Sequence, residues 1–161
     1  MWIKSMIENE WITGDGDLTA AYAIRDKVFG EEQKIGPEKI RDAYDAQAVH
    51  LLIYVDGKAV ATGRIYHDGS QFRMGRICVL KEYRGQGIGD LAVRLLLYKA
   101  FQFANRLYIS AQAYLEDFYK KFGFETVGEP FLEEDIPHVN MVLYKEKCVF
   151  PSKCGGEEQK S

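Results

Sequence analysis

The sequence predicts a mixed α+β domain, and three observations predict it. Between residues 48 and 80 lie three runs rich in β-branched and aromatic residues, separated by tight-turn signals, the pattern of a meander. The longest helical pattern, Gly87–Asn105, follows directly. After it the chain alternates strand, helix, strand, strand, so a strand–helix crossover succeeds the meander.

The elements follow in order. Residues 2–12 read as a short strand ended by Gly14-Asp15-Gly16-Asp17. Asp17 is suited to cap the next helix, whose apolar positions Leu18, Ala21, Tyr22, Val28 and Phe29 recur at helical spacing. Glu31–Asp45 is polar and carries Gly36-Pro37, which reads as a loop with one short helix. Ala48–Val55 and Lys58–Tyr66 flank Asp56-Gly57, a strong two-residue hairpin signal. His67–Ser70 turns the chain into Gln71–Leu80, and blurred alternation across these runs predicts burial on both faces. In Gly87–Asn105 the polar positions form a narrow stripe, so most of that helix should pack against the sheet. Leu107–Gln112 is another strand, and Tyr114–Phe122 a short helix stopped by Gly123. Phe124–Val127 and Val139–Lys145 read as two final strands joined by a connection over 128–138. Residues 1–146 are expected to form one domain and 147–161 a C-terminal extension with a polar tail.

Composition narrows the class. The 161 residues are 47% hydrophobic, enough for a sizeable core, and 21 Lys+Arg against 24 Asp+Glu leave a net charge of −3. Near balance argues against a general nucleic-acid binder. Three cysteines without a CxxC or Cys/His cluster suggest neither a disulfide framework nor zinc, so no metal is expected and a cytoplasmic setting is the simplest. No apolar run approaches the ~20 residues that span a bilayer, and acidic residues sit where a signal peptide would need an apolar core.

The chemistry-bearing stretch is Val79-Leu80-Lys81-Glu82-Tyr83-Arg84-Gly85-Gln86-Gly87-Ile88-Gly89, where a buried strand enters the longest helix. Three glycines in five residues let the backbone come close to a ligand, and successive amides at a helix N-terminus favour an anion. Arg84 adds a charge, so a phosphate or pyrophosphate is the sensible guest. Asp90 stands where the dinucleotide pattern needs glycine, and Gly89-Asp90-Leu91 lacks the Gly-Lys-Ser/Thr of a P-loop. A glycine-rich turn with no ligand is the plain alternative from the loop alone.

Arg84-x-x-Gly87-x-Gly89 after a strand ending at Val79 resembles the acetyl-CoA pyrophosphate loop of the GNAT N-acetyltransferases. Phe118-Tyr119-Lys120-Lys121-Phe122-Gly123-Phe124 independently resembles that family's aromatic-Tyr-x-x-x-Gly-Phe segment. A finer likeness to the ElaA-like branch rests on Val28-Phe29, Glu32-Gln33, Asp42 to His50, Ala61-Thr62-Gly63-Arg64, Gly75-Arg76, Ala111-Gln112 and Ile136–Met141. The resemblance implies a GNAT-type sheet, mixed but mostly antiparallel, of about six to seven strands flanked by helices.

It also implies acetyl transfer from acetyl-CoA, as cosubstrate, directly to a primary amine of a small molecule or protein. Backbone groups of Cys78, Val79 and Leu80 would pair with the pantetheine arm. Residues Arg84, Gly85, Gln86, Gly87, Ile88 and Gly89 would hold the pyrophosphate, and Tyr119 would protonate the departing thiolate. For the general base His138, His50, Glu32, Asp45 and a water chain stand open, with His138 carried forward; His67 sits in a hairpin turn and is set aside. Arg64, Arg76 and Gln112 are the acceptor-contacting candidates, and the two arginines are suited to clamp an acidic or phosphorylated amine by bidentate hydrogen bonds. The two arginines are equally suited to pairing with Asp42, Asp45 or Glu32 within the sheet. The acidic loop at 31–45, if it lines the cleft, would favour a cationic amine. Cys78 reads as an apolar filler rather than a nucleophile. A non-catalytic acyl-CoA-binding module is the alternative from another class, and a homodimer is the base-rate assembly.

Overall fold

In the computed structural model, residues 5–150 are described. Seven strands form one sheet in the order β1-β2-β3-β4-β5-β7-β6. They are β1 (Ile7–Thr13), β2 (Val49–Val55), β3 (Lys58–His67), β4 (Phe72–Val79), β5 (Arg106–Gln112), β6 (Glu125–Glu133) and β7 (Ile136–Tyr144). All neighbours are antiparallel except β4 and β5. The helices are α1 (Thr19–Arg25), which runs on into a π-helical segment (Asp26–Glu32), α2 (Pro37–Ile40), α3 (Ile88–Ala100) and α4 (Glu116–Lys120). The expected mixed, mostly antiparallel sheet is therefore the observed fold.

The sheet is covered on both faces. Gly63 on β3 lies beneath α3, where a Cβ would come within 2.8 Å of the Leu96 side chain. Arg64, the next residue, points to the other face and meets Asp45, which also holds Arg25 at the end of α1. This two-sided cover explains why β3 is buried from Val60 to Ile65 and why its sequence lacks clean alternation.

The Asp56-Gly57 turn forms as expected, with positive φ at both residues. Several boundaries differ from the sequence reading, among them the helix read over Tyr114–Phe122, which is a 3₁₀ turn, Ala113–Leu115, followed by α4. Of the first strand, residues 2–4 lie outside the described residues, and β1 runs from Ile7 to Thr13. The long helix stops at Ala100 rather than Asn105, because the chain turns over Phe101–Phe103 and Asn105 offers its carbonyl to the Lys145 amide. The expected 128–138 connection is instead mostly strand: β6 and β7 form a long hairpin closed by Glu134-Asp135, both at positive φ. Gly128 and Pro130 suggested a break, but β6 is the sheet edge, where proline is tolerated, and the ladder shifts register between Val127 and Phe131.

Residues 147–150 of the expected extension lie on the domain, with the Val149 amide donating to the Phe122 carbonyl. The tail from Lys153 lies outside the described residues.

Candidate active site

The site arises where the sheet opens. β4 and β5 pair at one position, Arg73 with Tyr108, and diverge beyond it. The cause is in β4: Thr62 faces Cys78 while Arg64 faces Gly75, so Arg76 and Ile77 together oppose Gly63 in a β-bulge. Arg76 takes a positive φ of 51° there. The bulge bends β4 away, and a cavity of about 340 Å³ fills the gap, lined by Cys78 and Val79 on one wall and Ile109 to Gln112 on the other.

Leu80 donates its amide to the Val60 carbonyl on β3. By alternation the amide and carbonyl of Val79 face the opposite edge, into the cleft. That carbonyl accepts from Arg84 Nε at 2.9 Å. The second arm of Arg84 reaches Glu32 Oε2 at 2.7 Å, and its own amide donates to Lys81 O at 3.3 Å. Arg84 thus braces the strand end and the π-helical segment, and its guanidinium is engaged within the protein. Gly85 and Gly87 both sit at positive φ with open space where a side chain would be, and Gly87 caps α3. The first amides of a helix have no internal partner, so Ile88 and Gly89 carry N–H groups without an intrahelical acceptor, and Gly89 lines the cleft.

Tyr119 on α4 lines the cavity among Phe118 and Phe124. Burial pushes its phenol above the usual range, so it stays protonated at neutral pH. Its hydroxyl makes no hydrogen bond to another described residue. Across the cavity His138, on β7 opposite Gln112, holds Nδ1 2.7 Å from the Ile136 carbonyl. A carbonyl only accepts, so Nδ1 carries a proton and, in the neutral ring, Nε2 keeps its lone pair. Glu133 Oε2 stands 3.7 Å from that Nε2.

The other base candidates lie elsewhere. His50 is fully buried between Arg25 and the Asp45 carbonyl, and burial holds its pKa below the usual imidazole value. Asp45 is clamped by Arg25 (2.9 and 3.0 Å) and Arg64 (2.7 Å), and these guanidiniums hold its carboxyl well below the usual range against the opposing effect of burial. Glu32 is the partner of Arg84. Arg64 is 1% exposed and bound to Asp42 and Asp45, the pairing its sequence context allowed. Arg76 binds the Ile40 and Lys39 carbonyls and Asp42 while also lining the cleft. Gln112 and Gln33 exchange amide hydrogen bonds over the cavity, Gln112 donating at 2.9 Å.

A second, polar cavity of about 580 Å³ adjoins the first, sharing Arg76, Gly75, Ser110 and Glu133. Arg73, Tyr66 and Glu133 belong to it, and sequence reasoning missed all three. Arg25 was missed too, although its signal was available: with Ala21 and Val28 it falls on the apolar stripe of the first helix, where a charge needs a buried partner. Among the described residues no group of three or more His, Cys, Asp or Glu is arranged to hold a metal ion, and no helix is long and apolar enough to cross a membrane.

A mostly antiparallel sheet split beside a glycine-rich helix N-terminus defines the acyl-CoA N-acyltransferase fold. The match to solved structures agrees: an acyl-CoA N-acyltransferase from Pseudomonas aeruginosa is 30% identical, with TM-score 0.77, over 85% of this chain and 99% of that one. Escherichia coli ElaA is 29% identical, with TM-score 0.75 and the same coverage. A family profile described as "Acetyltransferase (GNAT) domain" matches residues 17–145, and the chain belongs to that family, on its ElaA-like side. A Bacillus subtilis relative described as an uncharacterized N-acetyltransferase, YjcF, is 32% identical over 78% of this chain and 91% of its own.

Proposed function

We propose that this acyltransferase moves the acetyl group of acetyl-CoA directly onto a primary amine within a ternary complex, in the cytoplasm. The observation that carries the reading is that the outward backbone of Val79, Arg84 and Gly89 at the two ends of the glycine loop, Tyr119 and His138 all border one cleft.

Each group has a task its chemistry suits. The amides from Gly85 to Gly89 cradle the pyrophosphate, and Arg84 keeps the loop in place rather than supplying its charge to the phosphates. Of Cys78, Val79 and Leu80, Val79 turns its backbone outward to the pantetheine arm, and its amide is the donor that polarises the acetyl carbonyl. An ammonium cannot attack, so the amine must first lose a proton, and His138 Nε2 has the lone pair to take it. Glu133 beside that nitrogen stabilises the imidazolium that forms. The amine nitrogen bonds to the carbonyl carbon, the carbon–sulfur bond breaks, the thiolate takes the Tyr119 phenol proton, and the second proton that the nitrogen sheds as the amide forms restores the phenol.

Free CoA release over a panel of amines tests the proposal, with Tyr119→Phe beside the wild type. The variant should lose kcat by about 10²-fold or more, the usual scale for a general acid, while acetyl-CoA still raises its melting temperature. Equal turnover removes Tyr119 from the mechanism. Thermal protection by acetyl-CoA without turnover of any amine would favour the non-catalytic acyl-CoA-binding module.

A further inference from the structure

The second cavity carries information about the acceptor, because the charges around it are unequally neutralised. Arg64 is matched by Asp42 and Asp45, and Lys39 stands 4.0 Å from Glu134. Arg73 has Asp68 at 3.7 Å and Arg76 shares Asp42 with Arg64, so Arg76 and Glu133 are the groups at this space with charge left over, and Arg73 adds a second guanidinium beside them.

Arg76 is the most constrained of them. It belongs to a chain of alternating charges, Arg25–Asp45–Arg64–Asp42–Arg76, in which three cations meet two anions. The surplus positive charge falls at the end that lines both cavities. Nε and Nη2 are fixed by the Ile40 and Lys39 carbonyls and Asp42 at 3.1–3.2 Å. Nη1 makes no hydrogen bond to any described residue. A non-glycine residue at positive φ is an uncommon expense of conformational energy that concentrates at ligand sites. Here it has a visible effect. Arg73 and Arg76, three apart, would fall on opposite faces of a regular strand, yet both line the outer cavity.

Arg73 is oriented by Ser110 Oγ at 2.9 Å, which in turn donates to Asn140, and its other arm lies 3.7 Å from Asp68. Gly75 between the two arginines has no atom within 4 Å of where a Cβ would stand, so it leaves the space above them open. On the cleft side Glu133 lies beside His138, so the carboxylate and the imidazole mark the end where an ammonium group is stabilised and deprotonated.

We propose that the acceptor is a small amine that also carries an anionic group, a carboxylate or a phosphate, with the anion held by Arg76 and Arg73 in the outer cavity and the amine at Glu133 and His138. The inference rests on the acetyltransferase reading and adds the acceptor's charge pattern to it. The carboxylates of the 31–45 loop do not oppose such a substrate where they face it, since Glu32, Asp42 and Asp45 are each bound to an arginine.

The test is a panel of matched primary amines with saturating acetyl-CoA: amino acids, their amides and decarboxylated counterparts, and aminoalkyl phosphates. Turnover should be confined to the carboxylate or phosphate series, and comparing those two identifies the anion. Arg76→Gln and Arg73→Gln should each raise the acceptor KM by 10-fold or more with kcat within about threefold. Gly75→Leu, which fills the space without a backbone conflict, should abolish acceptor turnover while thermal protection by acetyl-CoA is kept. Uncharged or purely cationic amines reacting as well as their anionic partners would overturn the proposal, as would an unchanged preference in both arginine variants. Absent turnover across the panel with intact acetyl-CoA protection also overturns the acceptor class. Loss of acetyl-CoA protection in the wild type defeats the acyltransferase reading itself.

Discussion

Asp45→Asn should be among the most damaging single-atom changes available to this protein. The Asp45 carboxylate has each oxygen facing a cation: Oδ1 accepts from Arg25 at 3.0 Å and Arg64 at 2.7 Å, and Oδ2 accepts from Arg25 at 2.9 Å and the Asp42 amide at 3.3 Å. Neither orientation of an asparagine amide avoids pointing its NH₂ at a guanidinium. The variant leaves Arg25, Arg64 and Arg76 with Asp42 as the one remaining carboxylate of the chain of charges. Arg25 and Arg64 are 0% and 1% exposed, so water cannot replace the lost partner. Removing one member of such a buried pair costs about 3–5 kcal/mol. At about 2–4 °C per kcal/mol for a domain of this size, the melting temperature should fall by roughly 6–20 °C.

Urea unfolding of both proteins at pH 7 measures the cost, and repeating it in acid tests the cause. The folded-state pKa of Asp45 is lowered by its arginines, so its contribution is fully present above the unfolded value of ~3.9. That contribution declines as pH drops below ~3.9 and the carboxyl takes up a proton. The gap between wild type and Asp45→Asn should therefore be widest at neutral pH and shrink below pH 4. A loss under about 1 kcal/mol at pH 7, or a gap that grows in acid, would refute the reasoning.

Two further outcomes follow from single atoms. Gly123→Ala should destabilise by about 2 kcal/mol or more. Gly123 has φ 106° and a Cβ there would sit 2.3 Å from the Lys147 carbonyl oxygen, so a melting temperature unchanged within error would contradict the geometry. Burial pushes the Cys78 thiol up to about 12, so iodoacetamide at pH 7.5 should leave it unmodified in the folded protein and label it after urea unfolding. Peptide mass mapping reads the result, and rapid labelling of native Cys78 would reopen a thiol role.

What the sequence made legible was local chemistry. The glycine loop, the Asp56-Gly57 turn and the segment around Tyr119 each announce themselves within a few residues, because backbone freedom and side-chain type suffice to define them. The outer cavity was illegible for two physical reasons. Glu133 was hidden in a stretch whose glycine and proline read as loop, since nothing in a single sequence says that a strand lies at a sheet edge. Arg76 was visible as a residue, but its face depends on a bulge that exists through the register of β4 against β3.

The same distinction governs the sign of the acceptor. From the sequence two signals oppose each other: Arg64 and Arg76 suit a clamp on an acidic or phosphorylated amine, while the acidic run at 31–45, if it lines the cleft, favours a cationic one. In the fold Arg84 binds Glu32, Arg41 binds Asp26, and Arg25, Arg64 and Arg76 share Asp42 and Asp45. Those five arginines come from five separate segments of the chain, and only Arg41 lies within the run itself. Recognition depends on the charges that remain after such pairing, and at this cleft they are the surplus positive charge at the Arg76 end, with Arg73 beside it, and a glutamate beside the imidazole. An acceptor is therefore read by the mismatch the fold leaves, which is why the two opposed signals of the sequence can be weighed only once the partners are known.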